Sequence, residues 1–335
     1  MAIDPSYRRD DKCANCARVK CQSRNIKKMW FKNIHIYRFL RPFTLSAEDL
    51  HEQLTQDAFH PCGKMDMESL GWVPPLGRHS ESLVHSINNC IIFTARKEEK
   101  ILPASVVRDF VNEKVEEIET QQMRKVRKRE KDEIREQVLH ELIPRAFSRS
   151  SYLSAYIDVT NGWLLIDTPS DKKAEELISF LRKTLGSLPV APPKVQKAPA
   201  NVMTQWLVNQ NDCPPDIELA DACVLADQEG AVVNCKRQDL LAEEIQGHLE
   251  AGKLVTRIAL EWHERLGLIL DDGLVIRRLQ TLDLMNAQAD DANIETPEQR
   301  FDADFAIMTL ELAALIKRVF DLFGGEDEAA YAKMK

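Results

Sequence analysis

The sequence of 335 residues predicts an α+β protein with mixed antiparallel sheets and long helices, one of them projecting. Three observations predict this. Short aromatic and β-branched runs interleave with amphipathic helical stretches, but without the regular spacing of βαβ units, which argues against a doubly wound sheet. From Pro103 to Leu142 no internal Gly or Pro interrupts the chain, as a long helix requires. A hydrophobic share of 44% beside 29% charged residues is that of a globular chain, not a disordered one.

Met29–Phe43 opens the folded part as a strand, carried by Trp30, Phe31, Ile34, Ile36, Tyr37 and Phe39. Ser46 then caps a helix over 47–58, with Leu50, Leu54 and Ala58 at fourfold spacing. Gly71–Gly77, which holds Pro74 and Pro75, reads as a loop, and Asn89–Ala95 as a second strand leading to Arg96-Lys97-Glu98-Glu99-Lys100.

Pro103 suits a first helical turn and Pro144 ends the run. Val107, Val111, Val115 and Ile118 form one apolar stripe, and Ile134, Val138 and Leu142 another. Between residues 119 and 133 only Met123 and Val126 are strongly apolar. A single helix of that length would reach about 60 Å, so its middle either projects into solvent or turns back on itself.

Strands Ala155–Thr160 and Trp163–Thr168 flank Asn161-Gly162, a two-residue hairpin signal. Ser170 begins a helix with Ala174, Leu177, Ile178, Leu181 and Leu185 on one face. Prolines 189, 192, 193 and 199 mark a linker. Helices are expected at 202–208 and 217–226, a strand at Ala231–Lys236, and a helix over 240–250 that ends at Gly252. Lys253–Trp262 and Leu266–Gln280 read as strands, the latter turned at Asp271-Asp272-Gly273. Phe301–Phe323 is an apolar helix stopped by Gly324-Gly325. The chain thus divides into an extension (1–28), an α+β region (29–190), a Pro-rich linker (191–200) and a second α+β region (201–335).

Charge follows the same division. Lys and Arg number 8 against 3 acids in residues 1–28, 25 against 24 in 29–200, and 12 against 26 in 201–335. The total of −8 argues against a broadly cationic coat. No run of 18 apolar residues could span a membrane, and no apolar stretch follows the basic amino terminus as a secretory signal requires. Eight cysteines are too few for a disulfide scaffold, which makes a reducing cytoplasm the expected compartment. Cys13, Cys16 and Cys21 are spaced like part of a metal site but have no fourth ligand at finger spacing, so no metal is expected.

The sharpest local feature is Arg124, Lys125, Arg127, Lys128, Arg129 and Lys131, six cations against Glu130 in eight residues. On one helix Arg124, Lys128, Lys131 and Arg135 would share a face able to replace counterions along a phosphate backbone. The plainer alternative is a solvated, salt-bridged helix, with Glu113, Glu116, Glu117 and Glu119 upstream. Phe147, between Arg145 and Arg149, suits stacking on a base, a subunit contact or ordinary burial. Lys236, Arg237 and Gln238 form a second basic spot within the acidic half.

Signs of catalysis are weak. The histidines are scattered without an H-E-x-x-H pattern, and no phosphate-binding glycine loop occurs, so neither an enzyme nor a cofactor is expected. Asp158 and Asp167, placed diagonally on the predicted hairpin near Lys172 and Lys173, leave a metal-dependent nuclease as the rival reading. A scaffold without nucleic-acid contact is a third. Asp302 and Asp304 fall in the first turn of the last helix, where its dipole accounts for them.

From Met29 almost to the carboxyl terminus the sequence resembles the recombination-associated RdgC family of bacterial DNA-binding proteins. The resemblance is carried, in order, by MWFKN (29–33), FHPCG (59–63), GWVPPLG (71–77), ARKEEKILP (95–103), LIPRAFSR (142–149) and LRKTLGSLPV (181–190). RQDL (237–240), HLEAGKLVT (248–256) and QRFDADFAIMT (299–309) continue it. It implies a ring-shaped homodimer that binds double-stranded DNA without sequence preference, and single-stranded DNA as a further partner. Such a protein restrains the RecA recombinase by occupying DNA, and associates with the nucleoid. DNA contacts would carry over to Arg124 and to Arg237-Gln238, and a dimer contact that closes the ring to Phe147. A ring can be acidic outside while a few bases line its hole.

Overall fold

β-Branched and aromatic runs build a sheet, and the amphipathic stretches cover its faces. In a computed structural model of the protein, residues 30–77, 80–282 and 296–334 are described. The strands are β1 (Ile34–Phe39), β2 (Glu68–Val73), β3 (Val84–Ile87), β4 (Cys90–Ile101), β5 (Phe147–Asp158), β6 (Trp163–Asp167) and β7 (Val190–Ala191). After them come β8 (Ile217–Ala226), β9 (Val232–Lys236), β10 (Leu254–Trp262), β11 (Leu266–Asp271) and β12 (Ile276–Thr281). All twelve belong to one sheet of order β2-β4-β5-β6-β1-β12-β11-β10-β8-β9, with β3 on β4 and β7 on β1. The strand pairs are antiparallel, so the α+β class is as predicted, in one sheet instead of several. Its two halves meet where Ile34 of β1 pairs with Ile276 of β12.

The helices are α1 (Ala47–Thr55), α2 (Ala104–Gln122), α3 (Lys128–Leu142), α4 (Asp171–Leu185), α5 (Pro199–Val208), α6 (Glu243–Glu250), α7 (Pro297–Leu322) and α8 (Glu328–Ala332). Leu50 and Leu54 of α1 and Ala174, Leu177 and Leu181 of α4 join Phe93, Ile157 and Leu164 in one core. The larger core lies under α7 and takes residues from both halves of the chain, among them Ile34, Tyr156, Leu260 and Phe305. Phe305 meets Tyr156 edge-on with ring centroids 5.7 Å apart, and Phe320 meets Trp163 at 5.6 Å. A helix from the acidic half therefore packs on strands of the first half.

Several expectations are corrected. The stretch 103–142 is two helices, because Met123 adopts a left-handed conformation (φ 50°) and the chain turns back. That conformation costs about 1–2 kcal/mol. Folding back buries Val107 and Val111 of α2 against Ile134 and Val138 of α3, all at most 6% exposed. Each such burial contributes about 1.5–3 kcal/mol, so burial wins. Of the two readings, the turn is what forms.

Gly71, Trp72 and Val73, expected in a loop, are part of β2. Trp72 N–H donates to Asp57 C=O (3.0 Å) and Phe59 N–H to Trp72 C=O (2.9 Å), which also stops α1 at Thr55 instead of residue 58. Only glycine permits this approach, since a Cβ at position 71 would lie 2.3 Å from the Phe59 Cα. Residues 217–226, expected as a helix, form β8 between β10 and β9. Its register shifts against β10 between the pairs Ile258↔Cys223 and Leu260↔Leu219, which scrambles the twofold alternation a strand normally displays. Sheet pairing there overrides the local helical preference of an Ala-rich run.

The hairpin loop has four residues, 159–162, not two, because Asp158 pairs with Trp163. Asp158 shapes it by accepting from Asn161 N–H (2.8 Å) and Nδ2 (2.7 Å). Of the expected strand Met29–Phe43, the described residues from Trp30 onward are strand only over Ile34–Phe39, whereas β4 continues through the charged run to Ile101. In the proline-rich segment, Val190 and Ala191 pair with Phe39 and Arg38 of β1, and Val195 bridges Glu326.

Candidate nucleic-acid interface

The helical hairpin stands off the end of the β4–β5 ribbon, where Ile101 pairs with Phe147. With 19 residues, α2 carries its tip about 28 Å out. Val126 N–H donates to Glu119 Oε1 (2.9 Å), fixing the turn, and Arg127 C=O accepts from Lys131 N–H (2.9 Å) to start α3.

Arg124 lies in this turn, so it does not share a helical face with Lys128, Lys131 and Arg135, as a single helix would have placed it. Its guanidinium donates Nη1 to Glu130 Oε2 (2.7 Å), Nη2 to Glu130 Oε1 (2.6 Å) and Nε to Gln122 Oε1 (2.7 Å). The facing guanidinium holds the Glu130 carboxyl below its ordinary range, and the carboxylate in turn raises Arg124. Arg129 is 3.4 Å from Glu133 one turn on, and Lys131 Nζ lies 3.3 Å from Asn112 Oδ1 of α2. Lys125, Arg127 and Lys128 are exposed, and no salt bridge joins them to another described residue. The run is thus partly salt-bridged, with a cationic surplus concentrated at the tip.

Lys236, Arg237 and Gln238 lie at the end of β9, the opposite end of the sheet, so one chain does not bring the two basic spots together. Arg237 is left-handed (φ 53°). Gln238 donates Nε2 to Glu244 Oε2 (2.6 Å) and its N–H to Asp221 C=O (3.2 Å). Arg237 and Gln238 share a groove with Glu218, Asp221, Asp239 and Glu261, which leaves that spot an acidic surround.

Ordinary burial of Phe147 is ruled out within the chain: it is 85% exposed beside Ile101, 50% exposed. Asp158 and Asp167 are not neighbours. Asp158 stands opposite Trp163, whereas the register sets Asp167 level with Ser154, four residues away or about 13 Å. Asp158 is buried and bonded to Asn161, and Asp167 Oδ1 accepts from the Lys32 and Asn33 amides, both at 2.9 Å. Among the described residues no group of three His, Cys, Asp or Glu side chains could hold a metal ion. Cys13, Cys16 and Cys21 lie outside the described residues. Asp302 and Asp304 fall in the second turn of α7, not the first. There Asp302 Oδ1 sits 2.8 Å from His85 Nε2 and Asp304 is buried, so neighbours and not the helix dipole account for them.

Sequence reading passed over Tyr152. It is 62% exposed, and the Arg96 guanidinium packs between it and Phe59, 5.8 Å and 4.2 Å from the ring centroids. The signal available was an aromatic in a serine-rich strand, S-R-S-S-Y, alternating with the buried Ala155 and Ile157.

No helix among the described residues is long and apolar enough to cross a membrane. Residues 29–326 match the family described as "Putative exonuclease, RdgC". The recombination-associated protein RdgC of Yersinia pestis (strain Pestoides F) is 45% identical over 300 residues, 89% of this chain and 99% of its own. The protein of the same name from Yersinia enterocolitica matches at the same identity and coverage.

Proposed function

The chain belongs to the RdgC family of recombination-associated proteins, and from that premise we propose that it is a sequence-independent DNA-binding protein acting by occupancy, not by chemistry. As a ring-shaped homodimer it encircles or coats duplex DNA in the nucleoid and keeps RecA from using it. The observation that carries this reading is the projecting α2–α3 hairpin, whose tip gathers six cations in eight residues while the second half of the chain is strongly acidic. Such a tip exchanges counterions along a phosphate backbone without reading bases, and the acidic remainder discourages contact elsewhere. Phe147 and Ile101, exposed side by side at the root of the hairpin, supply an apolar contact for the second copy.

Two measurements test the reading. The protein should stay on closed circular duplex DNA in high salt and leave linear DNA of the same sequence, as encirclement requires. It should also slow RecA strand exchange in proportion to the DNA it covers. Equal release from both DNA forms overturns encirclement, and absence of duplex binding at low salt overturns the whole reading. Degradation of labelled DNA with Mg²⁺ or Mn²⁺ would favour the exonuclease named in the family description instead.

A further inference from the structure

From Phe147 to Ser154, β5 has β4 on one side and no strand on the other among the described residues, because β6 pairs it only from Ala155 onward. The register sets Tyr152 opposite Arg96 and Ser148 opposite Lys100, so these four side chains share one face. On that face Tyr156 is buried beneath α7, and four residues earlier Tyr152 is open to solvent.

The Tyr152 ring is a prepared surface. Arg96 backs it and is itself held by Glu98 at 3.0 Å and by Ser150 at 3.0 and 3.3 Å. Glu98, the carboxylate of this face, is buried and taken by Arg96. The Lys100 ammonium donates to the carbonyls of Lys64 (2.9 Å) and Ile143 (3.0 Å), so its charge is not cancelled by a carboxylate. An exposed ring, a fixed cation behind it, hydroxyls beside it and the Lys100 ammonium on the same face suit a flat, electron-rich ligand carrying phosphates.

We propose that this face binds single-stranded DNA, one base stacking on Tyr152 while a neighbouring phosphate meets Lys100. A duplex keeps its bases stacked inside and has none to offer, which separates this site from the hairpin tip. The inference rests on the DNA-binding reading above and adds a single-strand subsite to it.

The test uses the full chain with a single-stranded oligonucleotide carrying one 5-iodouracil, and a duplex of the same length. Light should crosslink the iodouracil to Tyr152, located by mass spectrometry. Tyr152→Ala should weaken single-strand binding about tenfold and leave duplex binding within about twofold, and Tyr152→Phe should bind both like the parent, since the ring and not the hydroxyl stacks. Single-strand binding unchanged in Tyr152→Ala, or an equal loss on both DNA forms, overturns the subsite while leaving duplex binding intact as a reading. A sedimentation shift in Tyr152→Ala overturns it in favour of a contact between copies. A parent chain that binds neither DNA form removes the underlying reading as well.

Discussion

Glu130 clamps Arg124 across the tip of the helical hairpin with two parallel hydrogen bonds, 2.7 and 2.6 Å. The most distinctive arginine of the basic run is therefore largely cancelled in the free protein, and the exposed Lys125, Arg127 and Lys128 carry the surplus charge.

Glu130→Gln removes that cancelling charge while keeping the shape. Duplex affinity should rise, and the slope of log K against log salt should steepen by up to about 0.9, the increment for one further phosphate neutralised. Fluorescence anisotropy over a salt series reads both. An unaltered slope would mean that Arg124 does not face DNA.

Replacing Lys125, Arg127 and Lys128 together by Ala should weaken duplex binding and flatten the slope by up to about 2.7. Because all three are exposed, each change should alter stability by no more than about 0.5 kcal/mol. Melting curves beside the binding curves separate the two effects. A normal slope in this variant would point away from the tip.

Phe147→Ala should shift sedimentation equilibrium toward the monomer and leave the melting temperature of the monomer nearly unchanged, since an 85% exposed ring adds little to its own core. An unaltered dimer would assign closure of the ring to other surfaces.

Arg318 of α7 grips Asp216, just before β8, through Nε to Oδ2 (2.8 Å) and Nη2 to Oδ1 (2.7 Å). The guanidinium holds the Asp216 carboxyl below the ordinary aspartate range. A carboxyl depressed in the folded state adds stability that is fully present above its unfolded value and is lost as pH falls through the folded one. Asp216→Asn should thus melt lower than the parent at neutral pH, and the gap should shrink as pH drops below about 4. A gap that is constant from pH 7 to pH 3 would show that the pair contributes through shape and not charge.

Local signals were legible where they act locally. The caps at Ser46 and Ser170, the Gly252 stop and the Asp271-Asp272-Gly273 turn need only neighbours in sequence, and each stands where it reads. The two apolar stripes of 103–142 were legible as well, and one of the two expected outcomes, the chain turning back, followed from them. The helical reading of 217–226 failed because the slot between β10 and β9 is set by strands tens of residues away. Likewise Asp158 and Asp167 looked like a pair until a four-residue loop moved the register and separated them.

By itself the sequence determined the α+β class, the family through its ordered motifs, and the place of the basic run within an acidic chain. Those are properties of composition and order, which survive any arrangement in space. Tertiary structure alone decided that the twelve strands of the described residues form one sheet, that the basic run becomes a turn with Arg124 cancelled by Glu130, and that Phe147 and Tyr152 stay uncovered. The reason is physical: exposure and ion pairing depend on which distant surfaces compete for the same side chain, and that competition is settled only when the whole core packs.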